Sequence, residues 1–256
     1  MDKKVAFVTG SAGGIGRIIA LTLAKQGYNL VINDLNAEKL SAVEKEIKDL
    51  GADCLSLAFD VSNEEAVKKA FVSVKAHYGK LDVMVNNAGI CPIRKIDEVS
   101  SKQMEKSFAI NVGSMFLCAK EAAKMMKEQG SGNIINACSQ SGFRETPVTF
   151  EYTTTKWAIR GMTKAMAEEL KPYHIRVNAY CPGTVITPMQ DKIAKQTAKE
   201  MHVPAFLVRK VQLKSQALGR FQTMEDMANL VAFLASDASR DIDGQNILCN
   251  GGQVMN

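Results

Sequence analysis

Val5-Ala6-Phe7-Val8-Thr9-Gly10-Ser11-Ala12-Gly13-Gly14-Ile15-Gly16 joins an apolar run of strand length to a glycine-rich turn, and Ile15 opens an amphipathic stretch that continues to Lys25. A short β-rich run followed by apolar residues at helical spacing is the first half of a βαβ unit. Glycines at that junction let backbone N–H groups and a helix N-terminus approach a pyrophosphate without side-chain obstruction. Glycines also serve ordinary tight turns; the position directly after a strand favours the phosphate reading.

The same alternation continues outward from this segment. Val5–Thr9, Asn29–Asn33, Cys54–Ala58, Val83–Asn86, Asn133–Cys138, Arg176–Tyr180 and Asn246–Cys249 read as strands, all but the last followed by turn residues or a helical pattern. Seven such strands predict an α/β fold with a doubly wound parallel sheet and helices on both faces. No linker, low-complexity run or internal repeat divides the 256 residues, so one domain over 1–256 is expected. Residues 187–217 are helical in flavour but fit no βα rhythm, and they read as a lid or substrate-side insertion.

Composition narrows the function classes. Hydrophobic residues make up 46% of the chain, enough for a substantial core, and the formal charge of +5 is spread along the chain rather than gathered into a basic tail. That distribution argues against nucleic acid as a partner. Cys54, Cys91, Cys118, Cys138, Cys181 and Cys249 are dispersed, with no C-x-x-C pair, and read as reduced thiols. The start, MDKKVAFVTG, has no signal-peptide core, and no run of about eighteen apolar residues follows. A cytoplasmic protein with no membrane partner is expected. His77, His174 and His202 lie in separate segments without partners at ligand spacing, so no metal site is expected.

The second strand runs into Asn33-Asp34, which places Asp34 18 residues beyond Gly16. A carboxylate near that spacing accepts hydrogen bonds from an adenosine ribose and repels a 2′-phosphate. No Arg or Lys occupies 11–14 or 33–36 to neutralise such a phosphate, so charge favours NAD over NADP. The plain alternative is that Asp34 caps the following helix.

Taken together these residues resemble the short-chain dehydrogenases/reductases, from about Val5 to Gly252. The resemblance is carried by Thr9-Gly10-x-x-x-Gly14-x-Gly16, Asp60-Val61, Asn86-Asn87-Ala88-Gly89, Asn111, Ser139, Tyr152-x-x-x-Lys156, and Pro182-Gly183 followed by Thr187. It implies a Rossmann-type fold, hydride exchange with a nicotinamide cofactor, and a homotetramer through the helices 101–127 and 152–170. It implies cofactor contacts at Gly10, Gly14, Ile15, Gly16, Asp34, Asp60, Val61, Asn87, Ala88, Gly89, Tyr152, Lys156, Pro182, Gly183, Val185 and Thr187. It further implies that Ser139 polarises the substrate oxygen, that Lys156 lowers the Tyr152 pKa, and that Asn111 helps hold a water leading protons toward Lys156.

The chemistry agrees with that set. Reducing a ketone needs a hydride and a proton for the developing alkoxide, and a phenol suits the proton transfer if a cation favours its ionised form. Tyr152 and Lys156, four residues apart, share one face of a helix. Ser139, 13 residues before Tyr152, follows a strand and so stands at the carboxyl edge of the sheet, where such folds bind ligands. Asp60 and Val61 are expected to receive adenine and Asn87-Ala88-Gly89 to let backbone approach the cofactor, with an ordinary βα turn as the plain alternative for each; Thr187 is expected to bond the carboxamide. Trp157 points away from the catalytic face and is read as core or subunit packing. His202 falls in the expected lid.

The substrate walls come from 140–150, 182–189 and the lid. Gln140 and Ser141 suggest a small polar group, and Phe143, Val148 and Met189 apolar walls. The strings Ile134–Gly142, Tyr180–Gly183 and Asn250–Asn256 resemble the acetoin reductase/2,3-butanediol dehydrogenase branch of the family, and sugar-alcohol dehydrogenases share parts of them. The small-molecule substrate is therefore acetoin or diacetyl with 2,3-butanediol, or else a polyol. A carrier-bound ketone fits less well without NADP-type basic residues. From another class, a dinucleotide-sensing protein without turnover would keep the fold, but Ser139, Tyr152 and Lys156 are all intact.

Overall fold

Strand β1 (Val5–Thr9) is buried along its whole length, with Ala6 and Val8 facing one apolar layer and Val5 and Phe7 the other. A strand covered on both faces reads as a continuous apolar run, which is why this one is legible without alternation. The computed structural model describes residues 3–145 and 147–255. Met1 and Asp2 of the quoted start, Thr146 of the expected substrate wall, and the terminal Asn256 lie outside the described residues.

Six further strands complete one parallel sheet: β2 (Asn29–Asp34), β3 (Cys54–Ala58), β4 (Val83–Asn86), β5 (Gly132–Ala137), β6 (Ile175–Pro182) and β7 (Asn246–Cys249). Their order is β3-β2-β1-β4-β5-β6-β7, so the direction of winding reverses between β1 and β4. That is the topological switch point, where doubly wound sheets bind ligands. The helices are α1 (Gly14–Lys25), α2 (Ala37–Asp49), α3 (Glu64–Tyr78), α4 (Ser101–Phe108), α5 (Ser114–Gln129), α6 (Phe150–Leu170), α7 (Pro188–Glu200), α8 (Ala205–Lys214) and α9 (Met224–Ala235). Residues of α1, α2 and α9 fill one face of the sheet, and residues of α3, α5 and α6 the other.

Four strands match their sequence-predicted bounds, and the others differ at their ends. β5 closes at Ala137 rather than Cys138, although the Cys138 N–H still pairs with Tyr180 O (2.9 Å). The stretch 101–127, expected as one helix, is broken by a π-helical turn at Ala109–Gly113 that separates α4 from α5. The irregular segment 187–217 contains α7 and α8, with Thr187 capping α7 through its hydroxyl on Gln190 N (3.1 Å) and Pro188 in the first turn. Trp157 is 47% exposed, so of the two readings, core or subunit packing, the core one falls; its ring faces the Arg160 guanidinium. Among the described residues no helix is long and apolar enough to cross a membrane. All six cysteines are free, and Cys91 and Cys249 are only partly buried.

Candidate active site

Most segments singled out in the sequence leave the sheet at the carboxyl end of a strand, the exceptions being Asn111 in a π-helical turn and Tyr152 and Lys156 on α6. Asp60 follows β3, Asp34 ends β2, the glycine-rich turn follows β1, Asn87–Gly89 follow β4, Ser139 follows β5, and Gly183–Thr187 follow β6. At about 4.8 Å per strand the six strand ends run in a row along roughly 24 Å of this edge.

The glycine-rich turn is pinned from below. Ser11, fully buried, takes the N–H of Asn33 on its hydroxyl (3.1 Å) and donates to Val8 O (3.1 Å). Asn87 gives its side-chain amide to Thr9 O (2.9 Å) and Gly10 O (3.1 Å), while Thr9 Oγ1 receives the backbone N–H groups of Asn87 and Ala88. Gly10 has φ +64°, and a Cβ there would meet Ala88 Cα at 2.9 Å. A Cβ on Gly16 would run into the Gly10 carbonyl and stand 2.5 Å from Asn87 Nδ2. Gly16 therefore lets α1 start against the turn, whereas a Cβ on Gly13 or Gly14 would point into open space.

A dinucleotide fits this cradle. The N-terminus of α1 has no side-chain cap and no acidic residue in its first turn, so its N–H groups are left to an anion. Asp34 accepts Ala12 N (3.1 Å), Leu35 N (2.8 Å) and Asn36 N (3.3 Å), which fixes its carboxylate beside the turn. The helix-cap alternative for Asp34 falls away, because Asn36 caps α2 by accepting from Lys39 N (2.9 Å). Arg17, the basic residue nearest in sequence to the turn, is paired with Glu46. Asp60 binds Ser62 N (2.9 Å) and Ser62 Oγ (2.7 Å) in its own turn, and Val61 is buried beside it. Ile15 packs against the core near the turn, and Val185 is buried after β6. Gly183 lies so close to Asn250 and Gln222 that a Cβ would meet them at 2.7 and 2.6 Å.

Ser139, Tyr152 and Lys156 come together at the other half of the row. Ser139 opens a 3-10 turn over Gln140–Gly142, accepting Ser141 N on its hydroxyl (3.1 Å), and that hydroxyl stands near enough to the Tyr152 phenol to work against the rise of its pKa. Lys156, 5% exposed, donates to Ala137 O (2.7 Å), and its ammonium lies 5.3 Å from the centre of the Tyr152 ring. Burial raises the Tyr152 pKa above the ordinary phenol value, while the Ser139 hydroxyl works in the opposite sense. Burial likewise lowers the Lys156 pKa. Both groups are thus biased toward neutral forms, the bias expected of titratable groups enclosed for proton transfer.

Asn111 sits in the π-helical turn with its side chain fully engaged. Its oxygen accepts Ile90 N (2.8 Å), and its nitrogen donates to Ile90 O (2.9 Å) and Thr155 Oγ1 (3.1 Å). The side chain therefore staples the loop after β4 to α6. Such π-turns recur at functional sites because they shift one turn out of register.

Two neighbours escaped the sequence reading. Cys91 lies within electrostatic reach of Tyr152 and Lys156, and burial pushes its thiol up to about 12. Glu151, 2% exposed and adjacent to Tyr152, is held by Arg94 (2.7 Å) and Ser107 (2.9 Å). Both rest on pairings distant in sequence, with no local signal. Replacing Arg94 with Ala leaves that carboxylate buried without its cation. It is expected to destabilise the fold by about 3 kcal/mol, read from denaturant midpoints; an unchanged midpoint would show that Ser107 suffices.

Among the described residues no group of three or more potential ligands is placed to hold a metal ion. The model of the short chain dehydrogenase family matches residues 4–198. The diacetyl reductase [(S)-acetoin forming] of Staphylococcus epidermidis is 40% identical over 256 residues, covering 98% of each chain. The 3-oxoacyl-[acyl-carrier-protein] reductase FabG of Staphylococcus aureus is 38% identical over 253 residues, again 98% of each. Among solved structures, NAD+-bound xylitol dehydrogenase superposes with a TM-score of 0.94 at 32% identity, over 97% of this chain and 98% of that one. Family model, relatives and fold agree, and the chain belongs to the short chain dehydrogenases, oxidoreductases that act on CH–OH groups.

Proposed function

We propose that this protein is an NAD(H)-dependent reductase of a small ketone, interconverting acetoin or diacetyl with 2,3-butanediol. The observation that carries the reading is the enclosed group of Ser139, Tyr152 and Lys156 at the same strand-end edge as Asp34. The cofactor, when bound, supplies or takes back the hydride. The chain's part is to hold the substrate and handle the proton. Ser139 spends an oxygen lone pair on Ser141 N, which leaves its hydroxyl proton for the substrate oxygen. Tyr152 delivers the proton to the developing alkoxide in reduction and removes it in oxidation. Lys156 stabilises the phenolate form, and Asn111 fixes the loop and helix that frame them.

The choice of NAD rests on charge. The Asp34 carboxylate is fixed beside the turn, and Arg17 is already committed to Glu46, so a 2′-phosphate would meet a negative group. The substrate choice rests on Gln140, next to Ser139, whose side-chain oxygen is buried without a partner. A buried acceptor of that kind favours a ligand with a donor on the neighbouring carbon, as in acetoin. Ser141, buried beside it, adds a second polar wall. The helices α7 and α8 act as the lid over this end. A polyol has the likeness to xylitol dehydrogenase in its favour.

Initial rates with NADH and NADPH on diacetyl, acetoin, a ketose and a β-ketoester, with butanediol and sugar alcohols in reverse, test both choices. The expected result is fast NADH-dependent reduction of acetoin or diacetyl. Activity on sugars alone moves the substrate to the polyols, and a preference for NADPH overturns the argument from Asp34.

A further inference from the structure

The phenol of Tyr180 is buried in the sheet core, 1% exposed, yet its hydroxyl donates to Asn87 Oδ1 at 2.7 Å. Tyr180 lies on β6 and Asn87 follows β4, so the ring crosses over β5 to make this bond. The small Ala137, paired in register with Tyr180, leaves it room. The Asn87 amide faces two carbonyls, Thr9 O and Gly10 O, which take both of its N–H donors. Its oxygen is thereby turned toward β6, where the Tyr180 hydroxyl is its donor. The same residue's backbone carbonyl takes the N–H of Cys138, directly before Ser139.

We propose that Tyr180 is a positioning residue for cofactor binding: its hydroxyl holds the Asn87 amide that shapes the glycine-rich turn. Without that donor the partly buried Asn87 oxygen loses its partner, and the amide is free to turn and release the Gly10 carbonyl. Gly16 packs against both groups, so the start of α1 loosens with them. A cofactor would then bind only the fraction of molecules whose turn is still formed, and its apparent affinity falls by that fraction. The proposal rests on the reading of this turn as the pyrophosphate site. It concerns whichever nicotinamide dinucleotide the wild-type protein uses, so it stands or falls apart from the choice of NAD and of substrate.

The test compares Tyr180→Phe with Tyr28→Phe. Tyr28 is also buried, at 6% exposure, and its hydroxyl donates to Ala235 O at 3.0 Å, remote from the turn. Each variant loses one buried phenolic hydrogen bond, so a purely structural role predicts the same outcome for both. The expected result is a rise of about tenfold in the cofactor KM and in the cofactor Kd for Tyr180→Phe. Its kcat at saturating cofactor should stay within twofold of wild type, and Tyr28→Phe should lower only the Tm. Equal behaviour of the two variants, or a fall in kcat at unchanged KM for Tyr180→Phe, overturns the proposal.

Discussion

Tyr152→Phe is expected to lower kcat by about 10²–10⁴-fold while cofactor still binds. The substitution keeps the ring and removes only the hydroxyl, so the packing of α6 against the site is preserved. What is lost is the proton donor. The pH dependence should point the same way in the wild-type protein. Reduction needs the protonated phenol and falls as pH rises through its pKa, whereas oxidation needs the phenolate and rises over the same interval. Burial raises that pKa, and the Ser139 hydroxyl opposes the rise. Steady-state rates with cofactor Kd measured separately decide the matter: turnover within a few-fold of wild type would remove Tyr152 from the chemistry.

Lys156→Met is expected to lose turnover to a similar extent and, unlike most active-site losses, to gain stability. The ammonium is buried, and among its partners the Ala137 carbonyl is the hydrogen-bond acceptor. Its pKa is lowered chiefly by that burial, which means the fold disfavours the charged form. A depressed folded pKa gives a definite sign. The unfolded chain binds the proton more tightly, so stability rises with pH between the folded pKa and the ordinary lysine value and is lowest below the folded pKa. Methionine has similar length and no charge, so at neutral pH the variant should be more stable by about 1 kcal/mol. Its stability should also be flatter between neutral and alkaline pH. Tm measured across that range, alongside kcat, is the check. Retained turnover, or a lower Tm at neutral pH, would mean the lysine is held there for packing instead.

The sequence made the strands legible because both faces of the sheet are covered. Val5–Thr9, Cys54–Ala58 and Val83–Asn86 are bounded by turn residues, and the structure keeps those bounds. The order of most chemistry-bearing segments was legible for a related reason: they follow strands, and parallel strands put all their carboxyl ends on one edge. What stayed hidden is non-local. Ala109–Gly113 contains no proline, and nothing in that string announces a π-turn. The clasp of Arg94 and Ser107 on Glu151 joins residues 57 and 44 positions apart. The Tyr180 hydroxyl reaches a residue 93 positions away across an intervening strand. The core reading of Trp157 fell because a lone tryptophan is normally a burial signal, whereas here its ring is nearly half exposed with a guanidinium over it.

Thr187 is the first residue of the α7–α8 segment to engage the rest of the site, and its oxygen already accepts the Gln190 N–H that starts α7. On the proposed reading its proton is left for the carboxamide of a bound cofactor, so one hydroxyl would be shared between the two. Sharing of this kind is reciprocal by thermodynamic necessity. On that reading, whatever firms the first turn of α7 would tighten the cofactor, and a departing cofactor would return to the segment part of its freedom to move. Product escape and cofactor exchange then become successive consequences of a single loosening rather than separate events.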